Sequence, residues 1–252
     1  MTVNCIKNNF LRWITVLPIL LFITPCIAQT DSLELTPKGN TPFYKTNAFK
    51  ITAVPAVLIT SGVLSIDSYR YTIKSKRDKN YPDFETHLDD YIQYAPLAAT
   101  YLIGLVTESK NDFINKTIIL AKAEILGAVI VHAFKRTTGV ERPDGSNKHS
   151  FPSGHTAGSF VAATFMHKEL GHKSILYSVA AYSVATSVGV LRVMNDKHWV
   201  SDVLVGAGVG ILSTNIVYYT HKYKWGNKRD SKLTLLPTYN NGKGGIFFAY
   251  TF

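Results

Sequence analysis

Six apolar segments run through the chain from residue 51 to residue 219, and they constrain its fold more than any other feature. The segments are 51–65, 91–106, 114–134, 157–167, 174–192 and 199–219. Most of them exceed the length of a β-strand and lack strict alternation of apolar and polar residues, so the pattern predicts α-helices. Each segment is rich in Ala, Gly, Ser and Thr, which allow helices to pack closely. The sequence therefore predicts an all-α bundle of six helices.

The composition of these segments fits both membrane spans and helices buried in a protein core. Several are shorter than the roughly 20 apolar residues that a span prefers. The third carries Lys122 and Glu124 in its middle, which is costly in lipid, and the mean hydropathy of the chain is only +0.06. Segments 174–192 and 199–219, in contrast, are apolar on nearly all sides, as spans are. A membrane-embedded bundle and a membrane-associated bundle both stay open at this point.

Residues 1–28 have the plan of a secretory signal peptide. Lys7 and Arg12 precede an apolar run that ends in Cys26-Ile27-Ala28, with small residues at the positions expected before a cleavage site. A retained membrane anchor is the alternative. Both cysteines, Cys5 and Cys26, lie in this segment, so a cleaved chain would have no thiol for a disulfide or a metal site. We expect an exported protein of a bacterial-type cell envelope, in the membrane or the periplasm.

The rest of the chain divides into three parts. Residues 29–50 are polar, residues 51–222 contain the helices, and residues 223–252 form a tail of different character. In the tail, two β-like runs flank Asn240-Asn241-Gly242, which is typical of a β-hairpin. One hairpin is far short of the roughly eight strands of a membrane barrel, so we expect it to cap the helical bundle.

The formal net charge of +10 favours anionic partners. Nucleic acid is the weakest of these, because the chain has no basic stripe with interleaved aromatic residues and no known binding motif. Phosphate esters and acidic membrane surfaces are the partners that we expect. The sequence does not indicate an oligomeric state.

The stretch Pro152-Ser153-Gly154-His155 stands directly before the fourth apolar segment. Ser commonly caps helices, and Gly lets the backbone approach a ligand closely. The first N–H groups of a helix are unpaired and attract anions. The stretch is therefore typical of a helix N-terminus that holds an anion, with an ordinary capped helix and a surface histidine as the alternative.

Charged residues on either side of this stretch also lie at predicted helix ends. Lys135 and Arg142 follow the third segment, and Arg192 ends the fifth. His198 and Asp202 open the sixth, at a spacing that lets the carboxylate reach the imidazole and leave one ring nitrogen free to attack. Taken singly, the three cations could be solvated charges at helix ends, and the His–Asp pair could be an ordinary surface pair. An antiparallel bundle brings such ends together, so we expect three cations and two histidines around one phosphate.

In this order the three motifs resemble those of the type 2 phosphatidic acid phosphatase (PAP2) and vanadium haloperoxidase superfamily. They read Lys-x6-Arg-Pro from Lys135, Pro-Ser-Gly-His from Pro152, and Arg-x5-His-x3-Asp from Arg192. With the flanking helices, the resemblance covers about residues 50–220. Leu191 departs from the pattern, because the family usually has Ser before the third-motif arginine. That change removes a hydroxyl group but no charged group.

The resemblance implies a PAP2-like bundle and a metal-independent phosphatase with no cofactor. His198 would attack phosphorus and form a phosphohistidine, and Asp202 would stabilise its imidazolium. His155 would protonate the leaving alkoxide and then activate water. The phosphoryl oxygens would be held by three side chains and two backbone N–H groups, those of Lys135, Arg142, Arg192, Ser153 and Gly154.

A lipid phosphate is the expected substrate class, with phosphatidic acid, phosphatidylglycerophosphate, a polyprenyl diphosphate and lipid A as candidates. A soluble periplasmic acid phosphatase of broad specificity is the first alternative. A vanadate-dependent haloperoxidase is the second, although chains of that group are typically much larger. A catalytically idle envelope protein is a further class, and the complete set of His155, His198 and Asp202 argues against it.

Overall fold

A computed structural model describes residues 42–67, 69–221, 233–240 and 243–250. The predicted signal peptide, with Cys5 and Cys26, lies outside the described residues. After a short 3-10 helix at Phe43–Lys45, the described elements are α1 (Asn47–Leu64), α2 (Tyr69–Asn80), α3 (Leu88–Ile92), α4 (Ala95–Val106), α5 (Phe113–Thr138), α6 (Gly154–Leu170), α7 (Ile175–Met194), α8 (Val200–Thr220), β1 (Leu233–Asn240) and β2 (Lys243–Tyr250).

The predicted count of six helices is too low for the described part of the chain. The six apolar segments form α1 and α4 to α8, whereas α2 and α3 were not predicted. α2 has no buried residue, so no apolar period marks it in the sequence. α3 has only five residues, fewer than an apolar period needs to become visible.

α6 and α8 lie at the centre of the bundle. α6 packs against α4, α5, α7 and α8, and α8 also packs against α1. Small residues of α8 permit these approaches, as the sequence predicts. A Cβ atom added to Gly206 would lie 2.6 Å from the carbonyl oxygen of Ser153, and one added to Gly208 would lie 3.0 Å from that of Pro55. A larger side chain at position 206 would push α8 away from the start of α6.

A buried apolar cluster lies where α5, α6 and α8 meet. Its members are Val131, Phe151, Ala157, Val205 and Val209. Full burial of a side chain the size of valine or phenylalanine contributes about 1.5–3 kcal/mol. The cluster therefore fixes the relative positions of the end of α5, the start of α6 and the first turns of α8, which carry Lys135, His155 and Asp202.

Four of the described helices, α1, α5, α7 and α8, are long and apolar enough to cross a membrane. α6 has 17 residues and is largely buried within the bundle. Large apolar side chains point outward from the candidate spans, among them Val57, Ile125 and Leu176, which are 64%, 64% and 71% exposed. Exposed apolar surface of this kind marks a membrane or interaction face. These four helices thus have the length and the apolar composition of membrane spans.

The two strands pair antiparallel, in the register that joins Leu233 to Tyr250 and Asn240 to Lys243. They occupy the segment in which the sequence predicts a hairpin, and residues 241 and 242 lie outside the described residues. That the hairpin caps the bundle stays a prediction.

Candidate active site

Ser153 defines the N-terminus of α6. Its hydroxyl oxygen accepts hydrogen bonds from the N–H of Thr156 at 3.4 Å and from the Thr156 hydroxyl at 2.9 Å, as expected of a helix cap. The N–H of Ser153 itself donates to the carbonyl oxygen of Asp202 at 3.0 Å. The prediction that this N–H binds a phosphoryl oxygen is therefore wrong, because the N–H already donates a hydrogen bond that connects Ser153 of the second motif to Asp202 of the third. Gly154 begins the helix and stays the predicted backbone donor.

His198 and Asp202 are both buried, with side chains 1% and 0% exposed, and 3.5 Å separates His198 Nδ1 from Asp202 Oδ2. His198 lies just before α8 rather than on it, since Trp199 is the N-cap and the helix begins at Val200. Nδ1 has no hydrogen-bond partner among the described residues. The carboxylate faces Nδ1, which leaves Nε2 as the ring nitrogen available for attack.

Three donors orient the Asp202 carboxylate. Oδ2 accepts from the hydroxyl of Ser150 and from the N–H of Trp199 at 3.0 Å, and Oδ1 accepts from the hydroxyl of Ser201 at 3.1 Å. Ser150 was not predicted as part of the site. Its position two residues before the second motif connects the loop ahead of α6 to the carboxylate of the third motif.

The three predicted cations lie close enough to one another to interact electrostatically. Arg142 and Arg192 repel each other and both repel Lys135. Burial, together with the charge of Arg192, lowers the pKa of the Arg142 guanidinium. The Nε atoms of Arg142 and Arg192 are buried and have no hydrogen-bond partner in the described parts of the chain. Buried cations cost free energy unless an anion neutralises them. Asp89 supplies a carboxylate to Arg192, and the two further cations of the cluster suit a phosphate.

Two acidic residues of α3 enter the site, and sequence reasoning missed both. Asp89 is completely buried, and its Oδ2 accepts a hydrogen bond from Arg192 Nη1 at 2.7 Å. Asp90 Oδ1 lies 3.0 Å from His155 Nε2 and 3.6 Å from Arg192 Nη1. The available signal was a pair of acids directly before an apolar segment. Their partner Arg192 is 103 residues from Asp89, so spacing could not reveal the contact.

The two histidines of the site have lowered pKa values. Burial is the main cause for His155, and the charge of Arg192 adds to it, while Asp90 and Asp89 oppose the shift. Burial also lowers the pKa of His198, where Asp202 opposes the shift and Arg192 and Lys135 add to it. The lowered pKa of His198 favours the neutral ring, which is the form that can act as a nucleophile.

The loops that carry the first and third motifs are tied together. The indole Nε1 of Trp199 donates to the carbonyl oxygen of Glu141 at 2.8 Å. Lys197 Nζ lies 2.9 Å from Asp144 Oδ2, and the N–H of Asp144 donates to the carbonyl oxygen of Asp196 at 3.2 Å. These contacts join the loop that carries Arg142 to the turn between α7 and α8.

The model of the PAP2 superfamily matches residues 116–226, which contain α6 to α8, most of α5 and all three motifs. This part of the chain belongs to the PAP2 superfamily. The resemblance predicted from the motifs is thus confirmed. The site described above lies entirely within the PAP2 segment, except for Asp89 and Asp90, which α3 contributes from outside it.

Known PAP2 proteins are similar to larger parts of the chain. Lipid A 1-phosphatase of Porphyromonas gingivalis is 34% identical over 206 residues, which are 78% of this chain and 44% of that protein. The chain therefore spans less than half the length of this relative. The structure of a transmembrane PAP2 type phosphatidylglycerolphosphate phosphatase from Bacillus subtilis matches 68% of this chain and 95% of its own, with 19% identity and a TM-score of 0.51, a likeness in fold. The structure of Aquifex aeolicus LpxE matches 57% of this chain and 93% of its own, with 23% identity and a TM-score of 0.44.

Proposed function

We propose that this protein is a metal-independent PAP2-type phosphatase that hydrolyses a lipid phosphate in the bacterial envelope. The observation that carries the proposal is the convergence of His155, the His198–Asp202 pair and three buried or half-buried cations on one end of the bundle. Two histidines can divide the work of nucleophile and proton donor. Cations placed around them can stabilise the charge of a transferring phosphoryl group.

In the first step, His198 Nε2 attacks phosphorus while the bond from phosphorus to the leaving oxygen breaks. His155 donates its proton to that oxygen, so the leaving group departs as an alcohol. Asp202 stabilises the positive charge that develops on the His198 ring. Lys135, Arg142 and Arg192 bind the non-bridging oxygens, and the N–H of Gly154 at the start of α6 assists them.

In the second step, neutral His155 accepts a proton from water as the water oxygen attacks phosphorus. The bond between phosphorus and His198 Nε2 breaks, which releases inorganic phosphate and restores neutral His198 and protonated His155. Each histidine thus returns to its starting state, and no redox change or external proton donor is needed.

A lipid substrate is supported by the outer surface of the bundle and by one relative. Four described helices are long and apolar enough to cross a membrane, and their outward side chains are apolar. Such a surface disfavours the soluble acid phosphatase considered from the sequence. The relative of 34% identity is a lipid A 1-phosphatase, which supports lipid A among the candidate substrates. The proposal includes export through residues 1–28 and a catalytic domain over residues 51–222, with the tail as a cap.

The test is phosphate release by the purified protein in detergent micelles with EDTA. The substrates are lipid A, phosphatidic acid, phosphatidylglycerophosphate, a polyprenyl diphosphate and soluble p-nitrophenyl phosphate. We expect release from at least one lipid, and we expect His198→Ala to reduce it by more than about 10⁴-fold. His149→Ala is the matched control, because His149 is exposed and precedes the second motif.

The outcomes separate the alternatives. Release from p-nitrophenyl phosphate alone would contradict a lipid phosphatase and favour a broad acid phosphatase. Release that persists in His198→Ala would contradict the phosphohistidine. Failure to release phosphate from every substrate would contradict the phosphatase proposal as a whole.

A further inference from the structure

We infer that Asp90 is a positioning residue for His155, holding its imidazole through Nε2 and stabilising the protonated ring that donates to the leaving group. The inference rests on the proposed function, since it concerns the proton donor of that reaction. Asp90 acts through His155 and is not assigned a contact with the substrate.

Asp90 and His155 lie at ion-pair distance. Asp90 Oδ1 and His155 Nε2 are 3.0 Å apart, and both side chains are partly exposed, at 44% and 36%. A carboxylate on one ring nitrogen fixes the orientation of an imidazole and makes its protonated form more stable. His155 would then donate to the leaving group from Nδ1, the nitrogen that Asp90 does not occupy.

The charges around His155 show why a carboxylate is needed there. Arg192 from α7 acts against protonation, as does burial, whereas Asp89 and Asp90 from α3 act in favour of it. Asp90 itself also faces His87, whose Nδ1 lies 3.6 Å from Asp90 Oδ2. Without Asp90, burial and Arg192 would leave His155 less protonated near neutral pH, and proton donation would weaken.

The Asp90 side chain is partly exposed, and contacts of neighbouring residues fix its position. Asp89, the preceding residue, forms the buried ion pair with Arg192. Asn195 donates to Asp89 Oδ1 at 2.9 Å and to the carbonyl oxygen of Thr86 at 2.8 Å, and accepts from the N–H of Thr86 at 3.0 Å. The short helix α3 is thereby fastened to the turn between α7 and α8, which holds Asp90 against His155.

The dependence of kcat/KM on the leaving group tests this role, because a residue with a merely structural role would affect all esters alike. An alkyl phosphate needs a proton on its departing oxygen, whereas p-nitrophenol departs as a stable anion. We expect Asp90→Asn to lower kcat/KM about 10- to 100-fold for an alkyl phosphate that the wild type hydrolyses, and by less than about threefold for p-nitrophenyl phosphate. Asp90→Glu, which keeps a carboxylate, should recover part of the loss. Asp83→Asn is the control, because Asp83 is an exposed acid in the segment that precedes α3.

A second measurement does not depend on turnover. The His155 ring, labelled with carbon-13 and assigned with a His155→Gln variant, is titrated by NMR in micelles. We expect Asp90→Asn to move the His155 midpoint to lower pH, whereas Asp83→Asn leaves it in place. Because this titration needs no substrate, it tests the inference even if the wild type releases no phosphate.

Three results would overturn the inference. The first is an equal loss of kcat/KM on both esters. The second is an unchanged His155 midpoint in Asp90→Asn. The third is a lower KM at unchanged kcat for both esters, which is the behaviour of a carboxylate that merely occupies the phosphate position and is displaced by substrate.

Discussion

The two ends of α6 both contain buried charged groups, but they satisfy them differently. Near its C-terminus, Glu169 is completely buried and accepts hydrogen bonds from the N–H and side-chain amide of Asn111, at 2.9 and 2.7 Å, and from the Tyr218 hydroxyl. Near its N-terminus, Arg142 Nε, Arg192 Nε and His198 Nδ1 are buried with no hydrogen-bond partner among the described residues.

This difference separates a structural cluster from a functional one. A buried carboxylate with all its oxygens bonded stabilises the surrounding helices, because breaking any of these bonds would leave a buried polar group unpaired. At the other end Asp89 neutralises Arg192, but Lys135 and Arg142 still repel Arg192 and each other. This repulsion reduces stability unless a ligand supplies further negative charge. Substitutions near the N-terminus of α6 should therefore change activity more than they reduce stability. Substitutions near its C-terminus should reduce stability more than they change activity.

Among the three substitutions that test this comparison, Asp202→Asn should have the largest effect. The substitution removes the charge that stabilises the His198 imidazolium, so kcat/KM should fall roughly 10²–10⁴-fold. The measurement is phosphate release at saturating and limiting substrate. Asp83→Asn, which changes an exposed acid in the segment between α2 and α3, is the control and should change kcat/KM far less. Activity of Asp202→Asn within about threefold of wild type would contradict the role of this pair.

Arg142→Gln should lower activity and raise stability. Loss of a charged contact to the phosphoryl group should reduce kcat/KM by roughly 10²-fold. Relief of the repulsion with Arg192 and Lys135 should raise the Tm measured in detergent without phosphate. Arg136→Gln, at an exposed position of α5, is the matched control and should change neither quantity appreciably. A drop in Tm for Arg142→Gln would show that its charge supports the fold instead.

Glu169→Gln should have the smallest effect on activity. The amide replaces one accepting oxygen, which should lower the free energy of unfolding by about 1–3 kcal/mol. The kcat/KM of the folded fraction should stay within about twofold of wild type, because Glu169 lies at the other end of α6. Denaturation and phosphate release are compared with those of Glu108→Gln, which changes an exposed acid. Reduced activity at unchanged stability would contradict a purely structural role.

The sequence alone determined the six apolar helices and the identity of the three motifs. Both are local properties: the apolar period reports one helix at a time, and Ser153 or Arg192 can be placed at a helix end from its immediate neighbours. The i, i+4 spacing likewise placed Asp202 within reach of His198, and their atoms lie 3.5 Å apart.

Only the tertiary structure decided how the remaining polar groups are used. It assigns the N–H of Ser153 to the carbonyl oxygen of Asp202, and it brings Asp89 and Asp90 to Arg192 and His155. α3 is too short and too polar to show an apolar period. Arg192, the partner of Asp89 on α3, lies 103 residues away along the chain. Contacts of this kind depend on which helix ends pack together, and no local pattern contains that information.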